Sequence, residues 1–181
     1  MESQPQPAQA ALRSGALLGI IMVIFTFIVY VIQSTALVGF WFNIIVLILF
    51  FGLLIYFGIQ YRKQVGGYLA YGAAFQFSFV ALIVSGFIFT LGNMLLYHVI
   101  DPALPEVLIE KQLNSVLEMM DRFGAGDSLS SDDLDEMREN MVDSFTVVGQ
   151  IKGLGVSFII YAVMALIVAA IIKKKDKSQD Y

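Results

Sequence analysis

The stretch YHVIDP, residues 97–102, contains the chain's only histidine, His98, three positions before Asp101. On a continued helix this spacing places both side chains on one face, where a carboxylate raises the proton affinity of a neighbouring imidazole. The alternative is structural, because an Asp-Pro pair commonly separates two helices, with the aspartate as a cap. Pro102 explains the break without chemistry. We therefore favour the structural interpretation and expect no essential protonic role for His98.

Two asparagines lie deeper in the apolar segments than His98 and Asp101. From the helical rise, Asn43 and Asn93 each lie about 9–10 Å from the nearer end of their segment. Amide side chains at membrane depth usually form hydrogen bonds between helices. We predict a candidate polar cluster of Asn43, Asn93, His98 and Asp101, with helix packing as its first role. A metal site is not expected, because the chain has no cysteine and zinc usually takes several nitrogen or sulfur ligands.

Residues 101–150 contain twelve acidic and three basic side chains, so their net charge is −9. No twelve-residue window has the spacing of an EF-hand calcium loop, which favours a solvated acidic face and leaves weak calcium binding as an alternative. The chain also has no phosphate-binding, hydrolase or dinucleotide-binding motif. We therefore expect no catalytic residue, no cofactor and no nucleic-acid partner.

Four apolar segments must position these residues, at 15–32, 37–59, 68–100 and 154–172. Hydrophobic residues form 58 % of the chain, against roughly 45–50 % in soluble domains. Each segment is long enough, or nearly so, for the ~30 Å hydrocarbon core of a bilayer. The first is either a spanning helix or a signal sequence, since Ser34-Thr35-Ala36 has the pattern of a cleavage site, but its length favours a spanning helix. The predicted fold is an all-α polytopic membrane protein with four transmembrane helices.

The basic residues predict the orientation of this bundle. Arg13 precedes the first segment, Arg62 and Lys63 follow the second, and the lysine-rich stretch KKKDK follows the fourth. The positive-inside rule then places both termini in the cytoplasm and the acidic segment outside. The predicted organisation is a disordered cytoplasmic leader, three transmembrane helices, an acidic extracytoplasmic helical hairpin, a fourth transmembrane helix and a basic cytoplasmic tail, at residues 1–13, 14–100, 101–150, 151–172 and 173–181.

The hairpin prediction rests on two amphipathic stripes, at residues 109–123 and 134–148, separated by the glycine-containing stretch GAGDSLS. Ser130 or Ser131 is the expected N-cap of the second helix. A segment this small rarely folds alone without disulfides, metals or a partner. We therefore predict that the stripes pack over the ends of the spanning helices and that the acidic faces remain available to a basic partner.

Small and interfacial residues predict how the helices pack and where they meet the membrane surface. Spacings of mostly four residues predict helix-packing faces at Gly15, Gly19, Gly66, Ala70, Ala74, Ser78 and Gly86. Aromatic and cationic residues near the segment ends predict interface anchors at Trp41, Tyr61, Arg62, Lys173, Lys174 and Lys175.

The stretch YRKQVGGYLAYGAAF combines Tyr61, Arg62, Gly66, Gly67, Gly72 and Phe75. It is followed one span later by YHVIDP and the acidic helical segment. This combination resembles the four-helix membrane proteins of Bacteroidota grouped as domain of unknown function 4199, over nearly the whole chain after the leader. The resemblance implies the inner membrane of a bacterium that also has an outer membrane, with the acidic hairpin in the periplasm. It implies no catalytic residues.

Three classes of function are compatible with the sequence. The favoured one is a non-enzymatic structural or interaction module, which presents the hairpin to a membrane or periplasmic protein or forms a homo-oligomer in the lipid bilayer. The second is a small transporter or channel component, in which polar residues of the third segment such as Gln76 and Asn93 line a path in an oligomer. The third is a membrane enzyme. No ionisable residue lies deep in a span, which weighs against ion-coupled transport.

Overall fold

A computed structural model describes residues 6–124 and 130–175. In this part of the chain there are six α-helices: α1 (Pro7–Gln33), α2 (Phe40–Gln64), α3 (Tyr71–Leu95), α4 (Leu104–Arg122), α5 (Ser131–Phe145) and α6 (Val147–Ile172). A 3₁₀ turn, Ser34–Val38, joins α1 to α2, and a π-helical turn, Leu96–Ile100, extends α3. Helices α1, α2, α3 and α6 are long and apolar enough to cross a membrane. The predicted all-α fold with four spanning helices is confirmed.

Two helix boundaries differ from those predicted. Helix α1 begins at Pro7, so residues 7–13 are helical and not a disordered leader. Proline suits this position because the first helical N–H has no intrahelical acceptor to lose. Helix α6 begins at Val147, four residues before the predicted start of the fourth span, because Thr146 caps it: Thr146 Oγ1 accepts a hydrogen bond of 2.9 Å from the Gly149 N–H. Residues 1–5 of the predicted leader and 176–181 of the predicted tail lie outside the described residues.

Helix α3 is the centre of the bundle, with α1 on one side and α6 on the other. Helices α1 and α3 run parallel and approach closely through glycine. A Cβ added to Gly15 would lie 2.6 Å from the Ala81 carbonyl oxygen, and one added to Gly19 would lie 2.8 Å from Ile88 Cβ. Further along, Gly92 of α3 leaves room for Val23 in the same way. Backbone contact of this kind requires small residues and maximises dispersion between helices in lipid.

Helix α2 lies at the periphery of the bundle, and its buried residues are Leu54, Gly58 and Tyr61. Gly58 contacts the side chain of Ile172 in α6, where an added Cβ would come within 2.7 Å of Ile172 Cδ1. The other apolar side chains of α2 are partly buried or exposed, as expected for a helix with one face towards lipid. The exposed ones are Phe40, Trp41, Ile45, Leu47, Ile48 and Tyr56.

The two ends of the bundle differ in charge. We call the end with Arg62, Lys63 and residues 173–175 the basic end, and the end covered by α4 and α5 the acidic end. At the acidic end a second apolar core forms around Leu37, Leu96, Leu104 and Leu108. Helix α4 therefore packs on the 3₁₀ turn and on the last turns of α3. Helix α5 contributes Phe145, whose ring lies 5.1 Å from that of Tyr97 in an edge-on arrangement.

Candidate functional site

The YHVIDP stretch lies at the acidic end, where α3 changes its hydrogen-bond pattern. The Asp101 N–H donates to the Leu96 carbonyl at 2.9 Å, five residues back, so the last turn is wider than an α-helical turn. Chain direction then changes at Pro102, and α4 begins at Leu104. Asp101 Oδ1 accepts a hydrogen bond of 3.1 Å from the Leu104 N–H. The aspartate therefore caps the first N–H of α4 from two residues before the N-cap position, which is Ala103, and the helix begins two residues after Pro102 and not at it.

Asp101 binds Tyr30, not His98. The Tyr30 hydroxyl donates a hydrogen bond of 3.0 Å to Asp101 Oδ2, which joins the last turn of α1 to the end of α3. His98 is exposed on the π-helical turn. The hypothesis of a facing His98–Asp101 pair is therefore wrong, because the wider turn and the cap at Leu104 turn the carboxylate towards α1. No sequence pattern indicated Tyr30, although a tyrosine near the end of an apolar segment has a hydroxyl that can donate to an interfacial acid.

The predicted polar cluster is not brought together. Asn43 is exposed and its Nδ2 donates to the carbonyl of Gly39, the N-cap of its own helix, at 3.0 Å. Asn93 is half-buried in α3, and within the described residues neither amide bonds to the other. Equal depth does not imply contact, because Asn43 lies on a face of the peripheral helix α2 that points away from the bundle. Of the four predicted residues, Asp101 is the one that joins two spanning helices.

The acidic side chains of α4 and α5 point away from the bundle. Ten of the twelve acidic residues in 101–150 are exposed, Asp101 is half-buried, and Asp127 lies outside the described residues. Arg138 of α5 pairs with Glu106 of α4, and Lys152 Nζ of α6 lies 3.5 Å from Asp143 Oδ2. In the described ranges, no group of three or more His, Asp or Glu side chains is placed to hold a metal ion. The result is an exposed surface of carboxylates that few cations neutralise.

Helix α5 begins with a capping box at Ser130, which the sequence predicted as one of two alternatives. Ser130 Oγ accepts from the Asp133 N–H at 3.2 Å, and Asp133 Oδ2 accepts from the Ser130 hydroxyl and N–H at 2.7 Å and 2.9 Å. These two bonds to the carboxylate, first the hydroxyl and then the N–H, hold the pKa of Asp133 below its ordinary value of 3.8. No residue of α5 is buried, so the capping box, and not packing, determines where this helix begins.

At the basic end, a clasp formed by residues 61–75 and 166–174 joins α2, α3 and α6. Arg62 Nη1 donates a hydrogen bond of 2.9 Å to the Ile172 carbonyl, a free acceptor at the C-terminus of α6. Leu69 and Lys174 exchange two backbone hydrogen bonds of 2.9 Å. The Tyr71 hydroxyl donates to the Leu166 carbonyl at 3.2 Å. The stretch YRKQVGGYLAYG, which joins α2 to α3, thus also binds both helices to α6, between 95 and 110 residues later in the chain.

The clasp depends on the two adjacent glycines that end α2. Gly66 and Gly67 have φ of +95° and +88°, in the left-handed region that favours glycine. The Gly67 N–H donates to the Arg62 carbonyl and the Gly66 N–H to the Lys63 carbonyl, the two bonds of a Schellman motif. Gly66 and Ala70 therefore precede α3, and their prediction as helix-packing residues is wrong. Ala74, Ser78 and Gly86 are buried on α3, with Gly86 against the ring of Tyr161.

Residues 13–174 match the family described as protein of unknown function (DUF4199). The chain belongs to the DUF4199 family. No curated protein and no solved structure matches it. Among the residues that carry the sequence resemblance to DUF4199, Arg62, Gly66, Gly67 and Asp101 have structural roles at the two ends of the bundle.

Of the six predicted interface anchors of this DUF4199 protein, Arg62 belongs to the clasp, and the other five divide into three groups. Trp41 is 73 % exposed at the start of α2, against Phe40, in the position of an interfacial aromatic. Lys173 and Lys174 lie over the rings of Tyr71 and Tyr68, and Lys175 is exposed. Tyr61 differs from the prediction. It is buried, with its ring stacked 5.0 Å from that of Phe77, because its side of α2 faces α3 and not lipid.

Proposed function

We propose that this protein is an inner-membrane interaction module, without enzymatic activity, that presents the exposed carboxylates of α4 and α5 to a basic protein surface in the periplasm. Both termini are cytoplasmic in this proposal. The observation that carries it is the division of α4 into two faces. Leu104 and Leu108 are buried against the spanning helices, while the acidic residues of the same helix are exposed. The apolar side is used for attachment to the bundle, so the charged side is left for recognition.

Charge supports a basic partner more than a lipid surface. The negative surface of a bilayer repels a segment with a net charge of −9. A cationic protein surface is attracted to the same segment, and such attraction mainly raises the association rate. Homo-oligomers formed through this surface are disfavoured, because two copies would bring like charges together.

The orientation is tested first, with single cysteines in a chain that has none of its own. Ser131→Cys and Lys175→Cys place a thiol at exposed positions of the acidic and basic ends. In intact spheroplasts, a membrane-impermeant maleimide should label the cysteine at 131, and the cysteine at 175 only after permeabilisation. The reverse pattern would contradict the proposed orientation.

The interaction is tested by photocrosslinking in intact cells. A photoreactive residue at exposed Glu136 should form a product of discrete mass. Neutralisation of the same face, by Asp132→Asn, Asp135→Asn and Glu139→Gln together, should remove that product. The matched control is a photoreactive residue at Ile48, which is 66 % exposed on α2 and lies about 12 Å along that helix from its start at the acidic end. A product that persists after neutralisation would show that the carboxylates are not the recognition surface.

A further inference from the structure

A groove of about 250 Å³ lies between the basic-end halves of α1 and α2. Helices α1 and α2 are joined at the acidic end by the 3₁₀ turn and make few contacts elsewhere, so their other ends leave a space. One face of each helix lines it, at positions separated by three and four residues. Helix α1 contributes Arg13, Ser14 and Leu17, and α2 contributes Phe57, Gln60 and Gln64.

The groove is polar at one end and apolar at the other. Arg13, Ser14, Gln60 and Gln64 lie nearer the ends of their helices, while Leu17 and Phe57 lie about one turn further into the bundle, or roughly 5 Å. Leu17 is 46 % exposed, so the apolar part is open to the bilayer. A ligand that fits this gradient has a polar headgroup at the membrane surface and a chain that continues into the hydrocarbon.

The cationic side chains at this end of the bundle favour an anionic ligand. Of the described residues, the basic end holds six cations (Arg13, Arg62, Lys63, Lys173, Lys174 and Lys175) and no carboxylate. Both ion pairs between described residues lie at the acidic end. Arg62 is engaged with the Ile172 carbonyl, and Lys173 and Lys174 lie over aromatic rings. Arg13 is exposed, has no ion pair with a described residue, and is the one cation in the lining of the groove.

We propose that this groove binds an anionic phospholipid, with its phosphate on Arg13 and an acyl chain along Leu17 and Phe57. A guanidinium binds phosphate through two parallel N–H bonds, and the neighbouring hydroxyl and amide groups supply further donors. At 250 Å³ the groove is smaller than the roughly 300–1,000 Å³ of sites that enclose a whole small molecule, and a lipid needs no more, because only part of it occupies the groove and the rest lies in the bilayer. This inference is independent of the proposed interaction at the acidic end.

The test is native mass spectrometry of the full-length protein, purified in a non-ionic detergent and titrated with phosphatidylglycerol or with phosphatidylcholine of the same acyl chains. Phosphatidylglycerol should bind more tightly. Arg13→Gln should weaken phosphatidylglycerol binding about fivefold, the effect of one cation at a charged surface. Lys175→Gln is the matched control, since it removes a cation from the same end but not from the groove, and it should change binding less than twofold.

Two further measurements separate the lipid from other ligands. Ser14→Leu fills the groove without a change in charge and should weaken phosphatidylglycerol binding at least as much as Arg13→Gln. Glycerol phosphate, which has the same anion but no acyl chains, should not displace the lipid at equal concentration. Equal losses from Arg13→Gln and Lys175→Gln would show diffuse attraction and overturn the proposal. Equal binding of both lipids, or displacement by glycerol phosphate, would also overturn it. Unchanged helical circular dichroism verifies that each variant is folded.

Discussion

At the scale of single residues, the hydrogen bond from Tyr30 to Asp101 connects positions 71 residues apart in the chain. Tyr30→Phe removes the donor but leaves Asp101 able to cap α4. Because the acceptor is a carboxylate and the site is half-buried, we expect a loss of about 1–2 kcal/mol in the free energy of unfolding. Chemical unfolding of the purified protein in detergent measures it.

His98→Gln is the matched control for this prediction, because His98 is exposed and lies three residues from the same aspartate. It should change the unfolding free energy by less than about 0.5 kcal/mol. A double-mutant cycle of Tyr30→Phe with Asp101→Ala, which removes the acceptor, should give a coupling energy near 1 kcal/mol. Additive effects of these two changes would show that the bond does not stabilise the protein.

The lowered pKa of Asp133 predicts that the stability of the first turn of α5 depends on pH. Its pKa is lowered in the folded protein by the hydroxyl and N–H of Ser130, so its stabilising effect is present above the unfolded value of 3.8 and is lost as pH falls through the lower folded pKa. A titration of the Asp133 carboxyl carbon by NMR should show the lowered pKa. Ser130→Ala removes the hydroxyl and should raise that pKa towards 3.8; no change in this variant would contradict the assigned cause.

At the scale of helices, glycines in different contacts should respond oppositely to a methyl group. Gly15→Ala places a Cβ 2.6 Å from the Ala81 carbonyl oxygen, so α1 and α3 must separate. We expect a loss of about 1–3 kcal/mol. Gly52→Ala on α2 is the control, since no atom lies within 4 Å of its added Cβ. Alanine favours the helix there, so Gly52→Ala should be neutral or stabilising by up to about 1 kcal/mol. Unfolding of both variants in detergent measures the difference, and equal losses would refute the close α1–α3 contact.

The spanning helices were predictable because each is a long apolar run, and the polar turn after α2 was predictable from its charges and glycines. The sequence did not show which face of each helix points towards the neighbouring helices. The spacing of Gly66, Ala70 and Ala74 reads as one stripe, but the left-handed φ of Gly66 ends α2 and α3 starts only at Tyr71. Likewise, Tyr61 has the sequence position of an interface anchor, and only the packing of α2 on α3 buries it.

At the candidate site, contacts between residues close in the chain were predictable and contacts between helices were not. The cap at Asp101 follows from local sequence, since Leu104 is three residues away. Its second partner, Tyr30, depends on the parallel packing of α1 and α3, which no local pattern contains. The groove at Arg13 was missed for a similar reason, because its two walls come from helices whose separation is a tertiary property.

At the scale of the whole molecule, α4 and α5 depend on the spanning helices for their stability. The buried residues Leu104 and Leu108 of α4 contact the 3₁₀ turn and α3, and α5 buries none of its residues. The excised segment 101–150 should therefore be largely unfolded in buffer by circular dichroism. The intact protein in detergent, measured in parallel, is the control for its helical signal. A cooperative thermal transition in the fragment would show instead that the segment is a self-sufficient domain.

The parallel packing of α1 on α3 has a consequence for biogenesis. Helices that enter a bilayer one after another associate only when their partners are present. The chain delivers α2 between α1 and α3, yet α2 ends at the periphery and its contacts with either neighbour are few. While α1 and α2 alone are inserted, Gly15 and Gly19 expose their backbone to lipid. Arrival of α3 creates the main helix–helix contact of the molecule, so a chain arrested after α2 would hold two inserted helices without their principal partner.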